Sequence, residues 1–370
     1  MDMMRLADIA AICLTGLGGT INCRRCVSGC NVLSMTNVSA AAAAIYGWYV
    51  NHYWTTDNDV GTLTFLTRVD KLGYFAIDKD AIEAADEDAL FKLLVLTTMF
   101  QRLRDQNVCS ILRSLSNEQV NSVTRPQLLD LSIRNAECEF CRNNEVLKGQ
   151  CTVTKLGNSK PFCDQINVVG CHIREHSHIL RRYGHFGKIP SSIYHVMSSN
   201  GGIKSLIHTA IKSSSNRVSR TKYLIESLTD VWRIGPKLAS MFVSLLVTEN
   251  LCKVRAPFVS EFDSSYALVI DINTMSAIER LGYTGSRSYE AQSEFIRVLA
   301  VSLTAHSDNF GTAKLEVSPR LLQQALYMFM SKPNRQTVIS DCSHKCTDCD
   351  YCIDAKICPF FTGLTPNLTN

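Results

Sequence analysis

The segment 341–360, DCSHKCTDCDYCIDAKICPF, places five cysteines within twenty positions. With Cys346 set aside, Cys342, Cys349, Cys352 and Cys358 are separated by six, two and five residues, and Pro359 follows the last. Four thiolates from one compact loop suit a cubane 4Fe–4S cluster, in which each iron takes one cysteine sulfur. Tetrahedral zinc also takes four thiolates, and Cys346 could then replace Cys342. Within this loop the spacing favours the iron–sulfur cluster, with zinc as the rival.

A second group lies between 136 and 185. Cys138 and Cys141 have the two-residue gap that lets one turn present both sulfurs. Zinc on Cys138, Cys141, Cys163 and Cys171 is the expected arrangement, with Cys151 and His172 as alternative ligands. A third run, Cys23, Cys26 and Cys30, lacks an obvious fourth ligand. Cys13 or Cys346 would have to supply it, and free thiols are the alternative. Sixteen cysteines grouped in this way fit metal thiolates in a reducing compartment better than disulfides. The chain therefore reads as intracellular, in cytoplasm or nucleoid.

The stretch 227–242, SLTDVWRIGPKLASMF, reads as a helix end, a short turn through Gly235 and a new helix opening at Pro236, where proline suits a first helical position. Backbone N–H groups at such a helix start offer a seat for phosphate that ignores base sequence. An ordinary helical hairpin is the plainer alternative. About thirty residues further on, VIDINTMSAIERLGY sets Val269 and Ile270 ahead of Asp271 at the head of a helical pattern, where an aspartate commonly caps.

Hairpin, lysine, aspartate and a terminal four-cysteine loop, in this order, resemble the iron–sulfur branch of the helix–hairpin–helix DNA glycosylases of the endonuclease III superfamily. The resemblance covers about residues 86–120 and 187–358. The family's hairpin, Leu-Pro-Gly-Val-Gly-x-Lys-x-Ala, falls on Val231, Trp232, Arg233, Ile234, Gly235, Pro236, Lys237, Leu238 and Ala239. Lys237 thereby matches the catalytic lysine of the bifunctional members. The family's Val-Asp-Thr-His falls on Ile270, Asp271, Ile272 and Asn273, so Asp271 matches the essential aspartate. In TTMFQRLRDQN, Gln101 matches the glutamine that enters the duplex, with Arg102 as a one-residue alternative. The resemblance also implies a 4Fe–4S cluster on Cys342, Cys349, Cys352 and Cys358, whose loop would set Lys345 and Lys356 on DNA phosphates.

Two departures stand out. Arg233 replaces the first hairpin glycine, and a non-glycine residue is strained at positive φ, so the turn is expected to differ. Asn273 replaces the family histidine. The implied activity is excision of a damaged or modified base from double-stranded DNA by a monomer. A bulky, hypermodified base is the suggested substrate, and repair and defence roles both stay open. Lys237 would attack C1′ to give a Schiff base and AP-lyase cleavage, its amine kept neutral by burial and the positive end of the helix dipole. Asp271 would stabilise charge on the sugar. Gln101 or Arg102, Arg233 and Gly235 would contact DNA. The rival is a non-catalytic DNA-binding or redox-sensing module that kept hairpin and cluster.

The elements that must position these residues are mostly helical. DEDALFKLLVLTTMFQRL sets Leu90, Leu93, Leu94 and Thr97 on one face with acids at its start. Ser116 and Gln119 have capping-box spacing. Strand patterns are scarce, residues 253–268 read as a loop, and HSHILRR reads as a surface helix. Trp48, Tyr49, Tyr53 and Trp54 read as core aromatics. The expected fold is mostly α: a two-domain helix–hairpin–helix glycosylase fold with an iron–sulfur loop, an N-terminal extension and a cysteine-rich insertion. Its parts are an extension over 1–85, a cluster domain over 86–107 and 272–370, and a hairpin domain over 108–271 with the insertion at about 136–185. At 370 residues the chain is long enough for two cores. A net charge of +4 permits a polyanionic partner without demanding one. Leu6–Gly19 is too short to span a bilayer, and no membrane partner is expected. Protein purified anaerobically should carry about four irons per chain; zinc without iron would contradict the terminal-cluster reading.

Overall fold

The computed structural model describes residues 35–50, 63–101, 103–151, 171–180, 186–248, 251, 256–304 and 317–331. Every regular element among them is helical. The α-helices are α1 (Met35–Tyr49), α2 (Val69–Leu72), α3 (Lys79–Glu83), α4 (Glu87–Met99), α5 (Asp105–Arg113), α6 (Asn117–Thr124), α7 (Pro126–Arg134) and α8 (Asn144–Gly149). Beyond these come α9 (His172–Ile179), α10 (Lys188–Ser199), α11 (Ile203–Ser213), α12 (Arg217–Leu228), α13 (Pro236–Val247), α14 (Ile272–Arg280), α15 (Tyr289–Thr304) and α16 (Pro319–Met330). Among the described residues no helix is long and apolar enough to cross a membrane.

Helix α4 is the hub. Asp86 caps it by accepting from the Ala89 N–H at 2.9 Å, and Glu87 and Asp88 occupy its first turn. From Ala89 to Met99 every residue except Lys92 is buried. The helix is thus covered on all sides rather than on the single face its leucines suggest, and α6, α10, α11 and α13 pack around it. Glu87 also reaches out: its carboxylate accepts the backbone N–H groups of Ile203 and Lys204 and so caps α11 from another helix. Gly202 permits this. Its φ is +106°, and a Cβ there would meet Glu87 Oε1 at 2.7 Å.

The capping box on α6 forms as the spacing indicates, with the Gln119 N–H donating to Ser116 Oγ and the Ser116 N–H to Gln119 Oε1. Segment 256–268 is irregular, interrupted by single 3-10 turns at Val259–Glu261 and Ser264–Tyr266. Helix α9 departs from the surface-helix reading: His172 and His176 are buried, and Arg181 and Arg182 lie outside the described residues. Two histidines on the inner face mask the apolar period, which explains why the sequence suggested a solvated helix.

Helix α1 is built into the core of the C-terminal helices. It packs on α15 and α16, the Trp48 ring meets Phe329 edge-on at 5.3 Å, and Ser39 and Ser302 share a hydrogen bond of 3.0 Å. Trp48 and Tyr49 are core aromatics as expected, while Tyr53 and Trp54 lie outside the described residues. Part of the segment read as an extension is therefore structural. Trp48→Ala should cost about 3–5 kcal/mol, the range for deleting a buried aromatic; an unchanged denaturation midpoint would show that α1 does not share this core.

Candidate active site

The turn between α12 and α13 is anchored by two buried side chains, Val231 and Ile234, whose N–H groups donate to the carbonyls of Leu228 and Val231 at 3.2 and 3.1 Å. Between them Arg233 takes left-handed backbone, φ +63°. A non-glycine residue is strained in this conformation, and the arginine bears roughly 1 kcal/mol of it. Its guanidinium lies over the Trp232 ring at 5.2 Å. The Trp232 N–H donates to Ser192 Oγ at 2.7 Å, and that hydroxyl donates to Asn144 Oδ1 at 2.7 Å. Gly235 then caps α13, and its carbonyl accepts from Leu238 and Ala239. With φ of −100° and nothing within 4 Å of a hypothetical Cβ, Gly235 leaves open space before the helix.

One pocket gathers charged groups from three helix starts. Asp105 opens α5, Lys237 is the second residue of α13, and Asp271 caps α14 by accepting from the Thr274 N–H at 2.8 Å. All three line the pocket and all are half-buried. Burial pushes the Asp105 carboxyl from its ordinary 3.8 up to about 6; the Lys237 ammonium opposes the rise and the Asp271 charge adds to it. Phe65, Phe100 and Met241 supply apolar lining.

Leu63 and Val269 also line the pocket, and α16 supplies its polar wall. Arg320, Gln323 and Gln324 are buried, and with Tyr327 they face the pocket at positions i, i+3, i+4 and i+7. Gln323 holds both flanks of Asp271: its Oε1 accepts from the Val269 N–H at 3.3 Å and from Arg320 Nη1 at 2.7 Å, while its Nε2 donates to Thr274 Oγ1 at 3.1 Å. Arg320 Nη1 also donates to Gln324 Oε1 at 3.0 Å.

Compared with family models, curated proteins and solved structures, the chain matches none.

Of the residues singled out from sequence, Lys237 and Asp271 meet in this pocket, and Arg233 and Gly235 sit on the turn beside it. Gln101 follows α4 directly; its Nε2 donates to the Thr98 carbonyl at 2.7 Å, and its neighbour Phe100 lines the pocket. Arg102, Lys345, Lys356 and the terminal Cys342, Cys349, Cys352 and Cys358 lie outside the described residues, as does Cys163. Cys138, Cys141 and Cys171 come together elsewhere, joined by Cys151. Among the described residues, no three or more His, Cys, Asp or Glu side chains are arranged as placed to hold a metal ion.

Sequence reasoning passed over Asp105 and the α16 stripe. Asp105 looks like any first-turn acid favoured by the helix dipole. The stripe was visible as Arg320, Gln323, Gln324 and Tyr327 on one helical face, but a polar face ordinarily points to solvent.

Burial of Asp105 makes stability depend on pH. As pH rises from 3.8 toward 6, the unfolded chain gives up this proton before the folded one, so stability falls across that window and the penalty is complete above it. Asp105→Asn should therefore raise the melting temperature by a few degrees at about pH 7 and leave it nearly unchanged at about pH 3.5. An equal change at both values would show that Asp105 ionises normally.

Proposed function

We propose that this protein is a helix–hairpin–helix DNA glycosylase that removes a damaged or modified base from duplex DNA, with Lys237 as a Schiff-base nucleophile. The observation that carries the reading is the shared pocket of Lys237 and Asp271, residues from two separate helix starts whose pairing the chemistry requires. The turn at Arg233 and the open approach to α13 beyond Gly235 would receive DNA phosphate on backbone N–H groups. A base turned out of the stack would enter the pocket alongside the packed pair Phe65 and Phe100, meeting the amides and guanidinium of α16 along its edge. Gln101 is placed by this reading as the wedge that fills the gap in the duplex.

The chemistry follows from the groups present. Lys237 Nζ, as the free amine, bonds to C1′ while the bond from C1′ to the base nitrogen breaks and the electron pair leaves with the base. Asp271 offsets the positive charge that develops on the sugar. Asp105 shares the pocket and, raised by burial to about 6, is a stronger base than an ordinary aspartate, so it is the group assigned by this reading to accept a proton there. Opening of the sugar then leaves a protonated imine on Lys237, and loss of a C2′ proton expels the 3′ phosphate. Gln323 acts through Asp271 and is a positioning residue. The terminal cysteines are assigned a 4Fe–4S cluster with a structural role, and the fold a hairpin domain and a cluster domain with the pocket between them.

Borohydride trapping on duplexes carrying modified bases tests this directly. Wild-type protein should yield a covalent adduct that Lys237→Gln abolishes, and Asp271→Asn should slow base release by about a hundredfold or more while duplex binding persists. An undiminished adduct from Lys237→Gln would remove this lysine from the mechanism. Duplex binding without release of any base would establish the non-catalytic module instead.

A further inference from the structure

The cysteine-rich insertion carries a group that the pocket does not use. We propose that Cys138, Cys141, Cys151 and Cys171 close on one Zn2+ ion that staples the insertion to the back of the hairpin turn. The four residues come from three places brought side by side. Cys138 and Cys141 flank a single 3-10 turn in which the Cys141 N–H donates to the Cys138 carbonyl at 3.3 Å; Cys151 follows α8, and Cys171 is the N-cap of α9. Cys138, Cys141 and Cys151 are buried and Cys171 packs against them, in a small core with Leu147 and Ile173 that is separate from the main one. None is in a disulfide.

Two arguments favour a metal over four inert thiols. The first is size. The core has as its buried members only three cysteines, one leucine and one isoleucine, and small units of this kind are commonly reinforced by a metal or a disulfide. The second is arrangement. Cys138 shares a hydrogen bond with the Cys141 thiol, and Cys151 and Cys171 belong to the same small cluster, so the four thiols share one region of the fold. Zinc with Zn–S bonds of about 2.3 Å requires sulfurs roughly 3.8 Å apart. The thiols as placed are not drawn to a common centre. Metal binding would choose among staggered χ1 wells, which move a cysteine sulfur by about 3 Å.

The surroundings suit the negative charge of a four-thiolate centre. Lys188, only 4% exposed, donates from Nζ to the Cys151 carbonyl, and His195 Nε2 pairs with the Cys141 carbonyl at 2.7 Å. The same residues lead to the hairpin. Lys188 Nζ lies over the Trp232 ring at 4.6 Å, and Asn144 Nδ2, three residues past Cys141, donates to the Asp230 carbonyl at 3.3 Å. With the Asn144–Ser192–Trp232 chain, these contacts grip the turn one residue before the strained Arg233. The ion would thus hold rigid the support of a turn that lacks its glycine.

The site stands whether or not the pocket acts on DNA, because zinc content is read without substrate. In the full-length protein, elemental analysis should find zinc that Cys141→Ser and Cys151→Ser each remove without lowering iron, and that Cys23→Ser/Cys26→Ser retains. Should the serine variants fail to fold, differential alkylation of the native protein with and without chelator should show Cys138, Cys141, Cys151 and Cys171 protected only while zinc is bound. Cobalt exchanged into the native protein should show the intense sulfur-to-metal charge transfer of a tetrahedral thiolate site. Removing zinc should speed hydrogen exchange at Asp230–Ile234. Native protein without zinc, zinc retained by Cys151→Ser, or protection that maps to Cys23, Cys26 and Cys30 would overturn the site. Unchanged exchange at the hairpin would overturn its role as a staple.

Discussion

A lysine can serve as a nucleophile only where something nearby accepts its proton and something else offsets the charge its attack creates. On the function proposed above, that constraint organises the centre of this molecule. Lys237, Asp271 and Asp105 come from three helix starts, and Asp271 is fixed by its cap on the Thr274 N–H. On the proposed reading, a pocket built from helix starts would be in place before a ligand arrives, which is how an electrostatic site avoids reorganising during reaction.

The rest of the fold reads as support for those helix starts. Helix α4, buried on all sides, carries α13 against it and ends at Phe100 and Gln101 beside the pocket. Helix α16 holds Asp271 through Gln323, and is itself packed against α1 and α15. On the far side of the hairpin, Ser192, Asn144 and Lys188 brace Asp230 and Trp232. A positive φ at Arg233 costs on the order of 1 kcal/mol, so a turn carrying it persists only where its surroundings hold it, and here both neighbouring residues are held.

Residues marked by local backbone rules could be read directly from the sequence. Pro236 at a helix start, Asp271 ahead of a helical pattern, and Ser116 paired with Gln119 each announce a cap or first turn that needs no tertiary contact to be recognised. Mostly helical character followed from the same signals. What could not be read is whatever depends on which face a neighbour covers. The α16 stripe looks solvated until its helix is seen buried, Asp105 looks like a dipole partner until burial raises its pKa, and His176 looks exposed until α9 docks. Cys151 shows a related limit: ten residues past Cys141, it could be read only as one of several alternative ligands, and the fold of α8 is what brings it back to the Cys138–Cys141 turn.

The most direct test of the central claim is hydrogen exchange of the full-length protein with and without a duplex containing a tetrahydrofuran abasic site. If the hairpin receives the backbone and the pocket receives the sugar, exchange should slow together at Val231–Ala239, at the start of α5 and across Val269–Thr274. Protection confined to other surfaces, or none in a complex shown to form, would contradict the account.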